Sequence, residues 1–271
     1  MNHPAIPPQS LTDKLIARKD GAIGWIIFNN PERHNATSYE MWQSLPVVLE
    51  AYARDPEVRV VVFRGAGEKA FSAGADISQF KEKRSSADAV KQYNAAADAA
   101  STALRECAKP TIAMIRGYCM GGDTAIAVGC DIRIAADDAR FGVPAAKLGL
   151  GYRFEGIKRL ASIVGPAFTA EIFFTARQFN AQEALQMGLV NRVMPAAELE
   201  SFVGDYARSI AINAPLTIAA VKRSLIELQK DPAERDLALC QRMVDACFGS
   251  EDYREGQAAF MEKRKPQFKG R

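Results

Sequence analysis

Two glycine-rich turns constrain this chain more than any other feature: Phe71-Ser72-Ala73-Gly74-Ala75-Asp76-Ile77 and Gly117-Tyr118-Cys119-Met120-Gly121-Gly122-Asp123. Each follows a strand-like apolar run, at 58–64 and 111–115, and each opens toward a helix-like segment. Strands alternating with helices imply βαβ crossovers and a largely parallel sheet. Residues 15–18, Asp20-Gly21 and 23–28 read as a hairpin with a D-G turn ahead of it. Helical periodicity runs over 36–53, broken at Pro46, and an Ala-rich helix is expected over 86–108. A short apolar helix at 123–128 and a third central strand at 131–135 complete the alternation.

From Pro166 the pattern turns helical, with segments at 166–175, 181–187, 196–211, 217–229, 233–248 and 253–263 and a short strand at 189–193. The expected organisation is an α/β core over 1–195 followed by a helical C-terminal region over 196–271. The apolar faces of those helices need a partner surface, either the chain's own core or another subunit. With 35 basic and 32 acidic residues the net charge is +3, without a basic block, so no nucleic-acid partner is expected. The longest apolar runs, such as 60–63, are far too short to span a bilayer, and the Pro-rich segment 1–8 lacks the apolar stretch of a secretory signal. The five cysteines, Cys107, Cys119, Cys130, Cys240 and Cys247, show no C-x-x-C spacing, which suits reduced thiols in a cytoplasmic protein. His3 and His34 are the two histidines, too few for a His-based metal centre or a Ser-His-Asp triad.

The two turns point to one kind of chemistry. An acyl thioester becomes reactive at its α-carbon when its carbonyl oxygen can carry negative charge, and two N–H donors about 3 Å away supply that. Gly122 is expected at a helix N-terminus, where first-turn N–H groups lack intrahelical partners and the dipole favours an anion. Ala75, between Gly74 and Asp76, is the expected second donor. Taken singly, each turn also reads as an ordinary strand-to-helix connection; neither matches the glycine spacing of a nucleotide-phosphate loop.

The chain resembles the crotonase (enoyl-CoA hydratase/isomerase) superfamily over nearly its whole length. The resemblance is carried in order by Asn30-Pro31-Glu32-Arg33-His34-Asn35-Ala36, Lys69 to Ile77, Lys109-Pro110-Thr111-Ile112-Ala113, Gly117 to Gly122 and Cys130-Asp131-Ile132-Arg133-Ile134-Ala135. It continues through Ala184-Leu185-Gln186-Met187-Gly188-Leu189-Val190-Asn191, Ala214-Pro215 and the ending from Ser250 to Pro266. It implies a ββα-repeat spiral core, a helical C-terminal trimerisation region, a homo-trimer or dimer of trimers, and a coenzyme A thioester as substrate, with no tightly bound cofactor. It assigns the oxyanion donors to the N–H groups of Ala75 and Gly122. It implies that coenzyme A lies along Arg33, His34 and Ala36 and along Ala73, Gly74, Ala75, Asp76 and Ile77. Lys265 is expected to reach a CoA phosphate, on its own or a neighbouring subunit; the alternative is a solvated tail charge.

The chain departs from the family where hydratases of this type carry two glutamates. The aligned positions hold Ala125 and Ala145, and alanine cannot exchange a proton. Asp123 and Glu155 are the substitute carboxylates, Asp123 reading equally as a helix cap and Glu155 as a surface charge. The segment Leu148-Gly149, Tyr152, Gly156-Ile157 and Leu160 is similar to methylmalonyl-CoA decarboxylases of the superfamily, which lack those glutamates. There a tyrosine at the position of Tyr152 contacts the substrate carboxylate, although those enzymes have histidine where this chain has Ala75. Tyr152 alternatively reads as a core residue, Cys119 and Cys130 as packing, and His34 as a surface histidine. The expected reaction is a lyase step on an acyl-CoA, decarboxylation or atypical hydration; a double-bond isomerase and a non-catalytic acyl-CoA binder are the alternatives.

Overall fold

The computed structural model describes residues 12–76 and 87–271. The Pro-rich segment 1–8, Ile77 and the first residue of the helix expected from 86 lie outside the described residues. The expected hairpin forms β1 (Leu15–Asp20) and β2 (Ile23–Phe28), with Asp20 opposite Ile23 and Gly21 in the left-handed region at φ 55°. Then α1 (Tyr39–Arg54) follows, capped by the Ser38 side chain. Pro46 lies inside α1 without ending it. The apolar face of Met41, Trp42, Leu45, Val48, Leu49 and Tyr52, all buried, outweighs the cost of an internal proline, roughly 3 kcal/mol.

Three repeats of strand, strand and helix build the centre. They are β3 (Val60–Gly65), β4 (Ala70–Ser72) and α2 (Ala87–Glu106); β5 (Thr111–Ile115), β6 (Tyr118–Met120) and α3 (Thr124–Gly129); and β7 (Ile132–Ala136), β8 (Arg140–Gly142) and α4 (Phe154–Thr175). The remainder is β9 (Phe179–Asn180), α5 (Ala181–Gln186), β10 (Arg192–Met194), α6 (Leu199–Ala211), α7 (Pro215–Leu228), α8 (Leu237–Gly249) and α9 (Glu251–Met261). The first strand of each repeat enters a six-stranded sheet of order β1-β2-β3-β5-β7-β10, parallel except for β1. The second strand enters a four-stranded sheet of order β4-β6-β8-β9. This is the expected ββα spiral.

The large sheet is buried on both faces, which explains continuous runs such as Val60-Val61-Val62-Phe63. Val61, Phe63, Ala113, Ile115 and Ala135 join the main core with α1, α2 and α4. Val60, Val62, Ile112, Met114 and Ile134 face the other way and meet Leu199, Val203 and Ala207 of α6, spaced four apart on one stripe. The residues just past the expected boundary at 195 therefore cover the second face of the sheet.

The structure corrects three expectations. The helix expected from 166 is present, set off by the non-helical Gly165 (φ 77°, ψ 165°), but a further helical stretch from Phe154, which was not expected, leads into it. The strand expected at 189–193 lies at Arg192–Met194, because Leu189 and Val190 are taken into the core ahead of it. The short strands β4 and β6 occupy the opening residues of what read as turns, and β8 and β9 lie where no element was expected, all being too brief for a period-2 pattern to show.

The C-terminal helices are tied down by charge. Lys222, on α7 and 6% exposed, donates to Asp131 Oδ2 at 2.8 Å and to the Lys109 carbonyl at 2.7 Å. Asp131 Oδ2 also accepts from the N–H (2.7 Å) and hydroxyl (2.8 Å) of Thr111. Glu227, buried, accepts from Lys230 at 2.8 Å and from the Asp236 N–H at 2.9 Å, and pairs with Arg223. Those partners, Lys230 foremost, hold its carboxyl down at about 2. A carboxylate depressed in the folded state contributes above its unfolded pKa, about 4.3, and loses that contribution as pH falls toward 2. Thermal melts between about pH 5 and 2.5 should therefore show a falling midpoint in this window, with a shallower slope in Glu227→Gln. Equal slopes would remove Glu227 as the origin.

Leu225, Leu228, Leu237, Phe248, Phe260 and Met261 on these helices are exposed. Among the described residues no helix is long and apolar enough to cross a membrane. Cys107, Cys119 and Cys130 are buried in the main core; burial pushes the Cys130 thiol up to about 12, so it offers no nucleophile at neutral pH.

Candidate active site

The first wall of the site is the loop after β2. A single helical turn, Pro31–Arg33, ends in His34 (φ 51°) and Asn35 (φ 57°), two consecutive left-handed residues. Asn35 is completely buried, and asparagine tolerates this conformation better than most residues. Its Nδ2 donates to the carbonyls of Ala66 (2.9 Å) and Ala70 (2.7 Å), and its Oδ1 accepts from the Asn30 N–H (3.0 Å). The loop is thus bolted to the connection between β3 and β4.

The loop also pairs with the first glycine turn. The Ala73 N–H donates to the His34 carbonyl (2.9 Å), Thr37 N–H to the Gly74 carbonyl (2.9 Å) and Asp76 N–H to the Thr37 carbonyl (3.1 Å). A trans peptide holds its C=O and N–H antiparallel. Because the Gly74 carbonyl is turned toward Thr37, the N–H of Ala75 in the same peptide points away from the loop. It has no hydrogen-bond partner among the described residues.

The second turn comes to meet it. Gly121 (φ 62°), Gly122 and Asp123 form one helical turn that runs directly into α3. The Gly122 N–H belongs to the first turn, whose donors have no intrahelical acceptor. Gly74 (φ 100°) and Gly121 abut: a Cβ on Gly74 would lie 3.2 Å from the Met120 carbonyl oxygen and 3.7 Å from the Gly121 Cα. Backbone approaches this close, at positive φ, are the reason both positions are glycine. The far end of α3 is met by Arg159, donating to the carbonyls of Val128 (3.2 Å) and Gly129 (3.3 Å). Just beyond, the buried Arg133 donates to the Cys130 carbonyl (2.7 Å). Two cations thus stand at the negative end of the helix whose positive end carries Gly122.

The other expected site residues are distributed as follows. Arg33 is exposed and reaches across to the buried Asp76 at 3.2 Å, so the loop and the turn are joined by side chains as well. His34 is exposed, its ring edge-on to Tyr118 with centroids 6.0 Å apart. Ala36 is buried, Ala73 exposed, Gly74 buried and Ala75 half-buried. Lys265 is exposed beyond α9, its ammonium without a hydrogen bond or ion pair among the described residues. Tyr152 is half-buried, its ring T-shaped against Phe173 at 4.7 Å. Glu155 is exposed in the first turn of α4, and Arg153 beside it makes a two-armed pair with Asp98 of α2 (2.7 and 2.6 Å). Ala125 is exposed on α3 and Ala145 is buried. The Asp123 side chain lies outside the described residues.

The sequence model of one family, enoyl-CoA hydratase/isomerase, matches residues 18–271. The chain belongs to that family. Among curated family members it is similar to a short-chain-enoyl-CoA hydratase from Clostridium acetobutylicum, 35% identical over 253 residues that cover 93% of this chain and 96% of the relative. A carnitinyl-CoA dehydratase from Escherichia coli K12 is 35% identical over 268 residues, covering 96% of this chain and all (100%) of the relative. Among solved structures of the enoyl-CoA hydratase/isomerase fold, an enoyl-CoA hydratase/carnithine racemase from Magnetospirillum magneticum superposes with TM-score 0.89 at 36% identity, covering 96% of this chain and 97% of that one. An enoyl-CoA hydratase from Bacillus anthracis gives 0.89 at 29% identity, covering 96% and 100%.

Asn35, Ser72 and Arg133 stand in the motifs that carry the resemblance but had no role in the sequence reading, and Arg159 was not singled out; all four shape the site through hydrogen bonds to main chain. Asn30 and Asn35, five apart across a proline, carried the one local signal, since asparagine bonds its own neighbouring backbone in such loops. The two arginines join segments far apart in sequence and left none.

Proposed function

We propose that this family member acts on acyl-CoA thioesters by holding an enolate-like oxygen between the N–H groups of Ala75 and Gly122. The observation that carries the reading is the abutting pair of glycine turns, each presenting a backbone donor. Such donors need no particular side chain, so they persist although Ala125 and Ala145 replace the glutamates of a hydratase. The names of the relatives, an enoyl-CoA hydratase and a carnitinyl-CoA dehydratase, support the same substrate class. In this reading coenzyme A lies along Arg33 to Ala36 and Ala73 to Ile77, with Lys265 on a phosphate. The enzyme works in the cytoplasm as a homo-trimer or dimer of trimers through the exposed apolar faces of α7, α8 and α9, without a metal or a tightly bound cofactor.

The reaction is a lyase step that does not use a glutamate pair. In decarboxylation the bond to the departing carboxylate breaks, its electron pair passes through the α-carbon to the thioester oxygen, and solvent returns a proton to carbon. Tyr152 then orients the carboxylate. In hydration, the exposed Glu155 at a helix N-terminus handles the water proton.

Mass spectrometry of the protein incubated with methylmalonyl-CoA, malonyl-CoA and a set of 2- and 3-enoyl-CoAs separates these. Loss of CO2 establishes decarboxylation, and Tyr152→Phe should then slow it about tenfold or more. Addition of water or movement of the double bond makes Glu155 the proton carrier, and Glu155→Gln should then slow turnover by about 10²-fold. Acyl-CoA bound and left unchanged in every sample would instead favour a non-catalytic binder.

A further inference from the structure

We infer that Ser72 is a positioning residue that makes the coenzyme A loop and the oxyanion turn one unit, so that the seated nucleotide half sets the direction of the Ala75 N–H. The inference rests on the acyl-CoA reading above. Ser72 ends β4 and is completely buried. Its hydroxyl donates to the Asn35 carbonyl at 2.7 Å and accepts the Gly74 N–H at 3.3 Å.

That second bond matters because of what Gly74 does. At φ 100° glycine rotates with little steric restraint, and Gly74 joins two peptide planes. The plane before it carries the Gly74 N–H, held by the Ser72 hydroxyl. The plane after it carries the Gly74 carbonyl, held by the Thr37 N–H, and the Ala75 N–H on its opposite edge. Ser72 and Thr37 clamp the glycine from both sides, and both are anchored to the loop that begins at Arg33. Removing the hydroxyl frees the plane before Gly74 and leaves the donor's own plane held by the Thr37 N–H alone, so the aim of the donor loosens while the loop keeps its backbone pairing and the Asn35 bolts.

The test is Ser72→Ala, titrated in parallel with free coenzyme A and with acetoacetyl-CoA, whose enolate places charge on the thioester oxygen. Loss of one hydrogen bond's worth of alignment should weaken acetoacetyl-CoA about five- to tenfold, while coenzyme A changes less than about twofold. The coenzyme A arm reports on the same preparation that the loop is folded. Equal weakening of both ligands would reduce Ser72 to a general support of the loop and overturn the inference, as would no change in either. A wild-type protein that binds neither ligand would instead end the acyl-CoA reading, and this inference with it.

Discussion

Gly122→Pro should lower turnover of any acyl-CoA substrate by about 10²–10³-fold, the usual cost of removing one oxyanion donor. Proline lacks the N–H, and the neighbour its ring constrains is Gly121 (φ 62°), which as a glycine has the freedom to adjust. A Cβ built on Gly122 meets nothing within 4 Å, and Gly122 is not among the positive-φ glycines. The first turn of a helix is where proline is best tolerated, because the missing N–H had no intrahelical acceptor. Circular dichroism should thus be unchanged while kcat collapses, and Gly122→Ala, which keeps the donor, should remain active. A proline variant with wild-type kcat would remove Gly122 from the oxyanion assignment.

Lys222→Ala should destabilise the fold by about 1.5–3 kcal/mol, because it removes a buried ammonium that bonds a half-buried carboxylate and a main-chain carbonyl. The ammonium reaches an aspartate and a main-chain carbonyl on the core side, so its loss unfastens α7 and strips Asp131 of its cationic partner. Urea unfolding of the variant reads this as a lower midpoint at similar slope. Adding Asp131→Asn should recover part of the loss, since a neutral amide needs no counter-charge. A single variant within about 0.5 kcal/mol of wild type would mark the pair as ornamental.

Much of the architecture was legible because the chain's strongest local signals agree with its tertiary structure. The D-G turn, the buried run at Val60 and the strand Thr111–Ile115 stand where periodicity put them. The misread elements have physical causes. Three-residue strands show no alternation, and the helical stretch from Phe154 up to the Gly165-Pro166 break follows a glycine-rich segment that gave no start signal. At the site, either glycine turn alone reads as an ordinary strand-to-helix connection; the two together, in order with the other motifs, are what made the site legible. What holds them in place was not legible, because Ser72, Asn35 and Arg159 act by bonding to main chain contributed by other segments. A serine in a strand or an arginine on a helix looks the same in sequence whether it meets water or a distant carbonyl.

The position of α6 has a consequence for how the molecule comes into being. The sheet it covers is made entirely from residues before it. On a ribosome those strands emerge first, and for as long as Leu199, Val203 and Ala207 are still being translated, Trp25, Val62, Ile112 and Met114 have a greasy face open to water. Closure by a late-arriving helix makes the nascent chain a client for chaperones over a defined stretch of its synthesis. Any truncation that stops short of this helix, however complete its glycine turns, would leave the ribosome as an adhesive sheet rather than a smaller version of the fold.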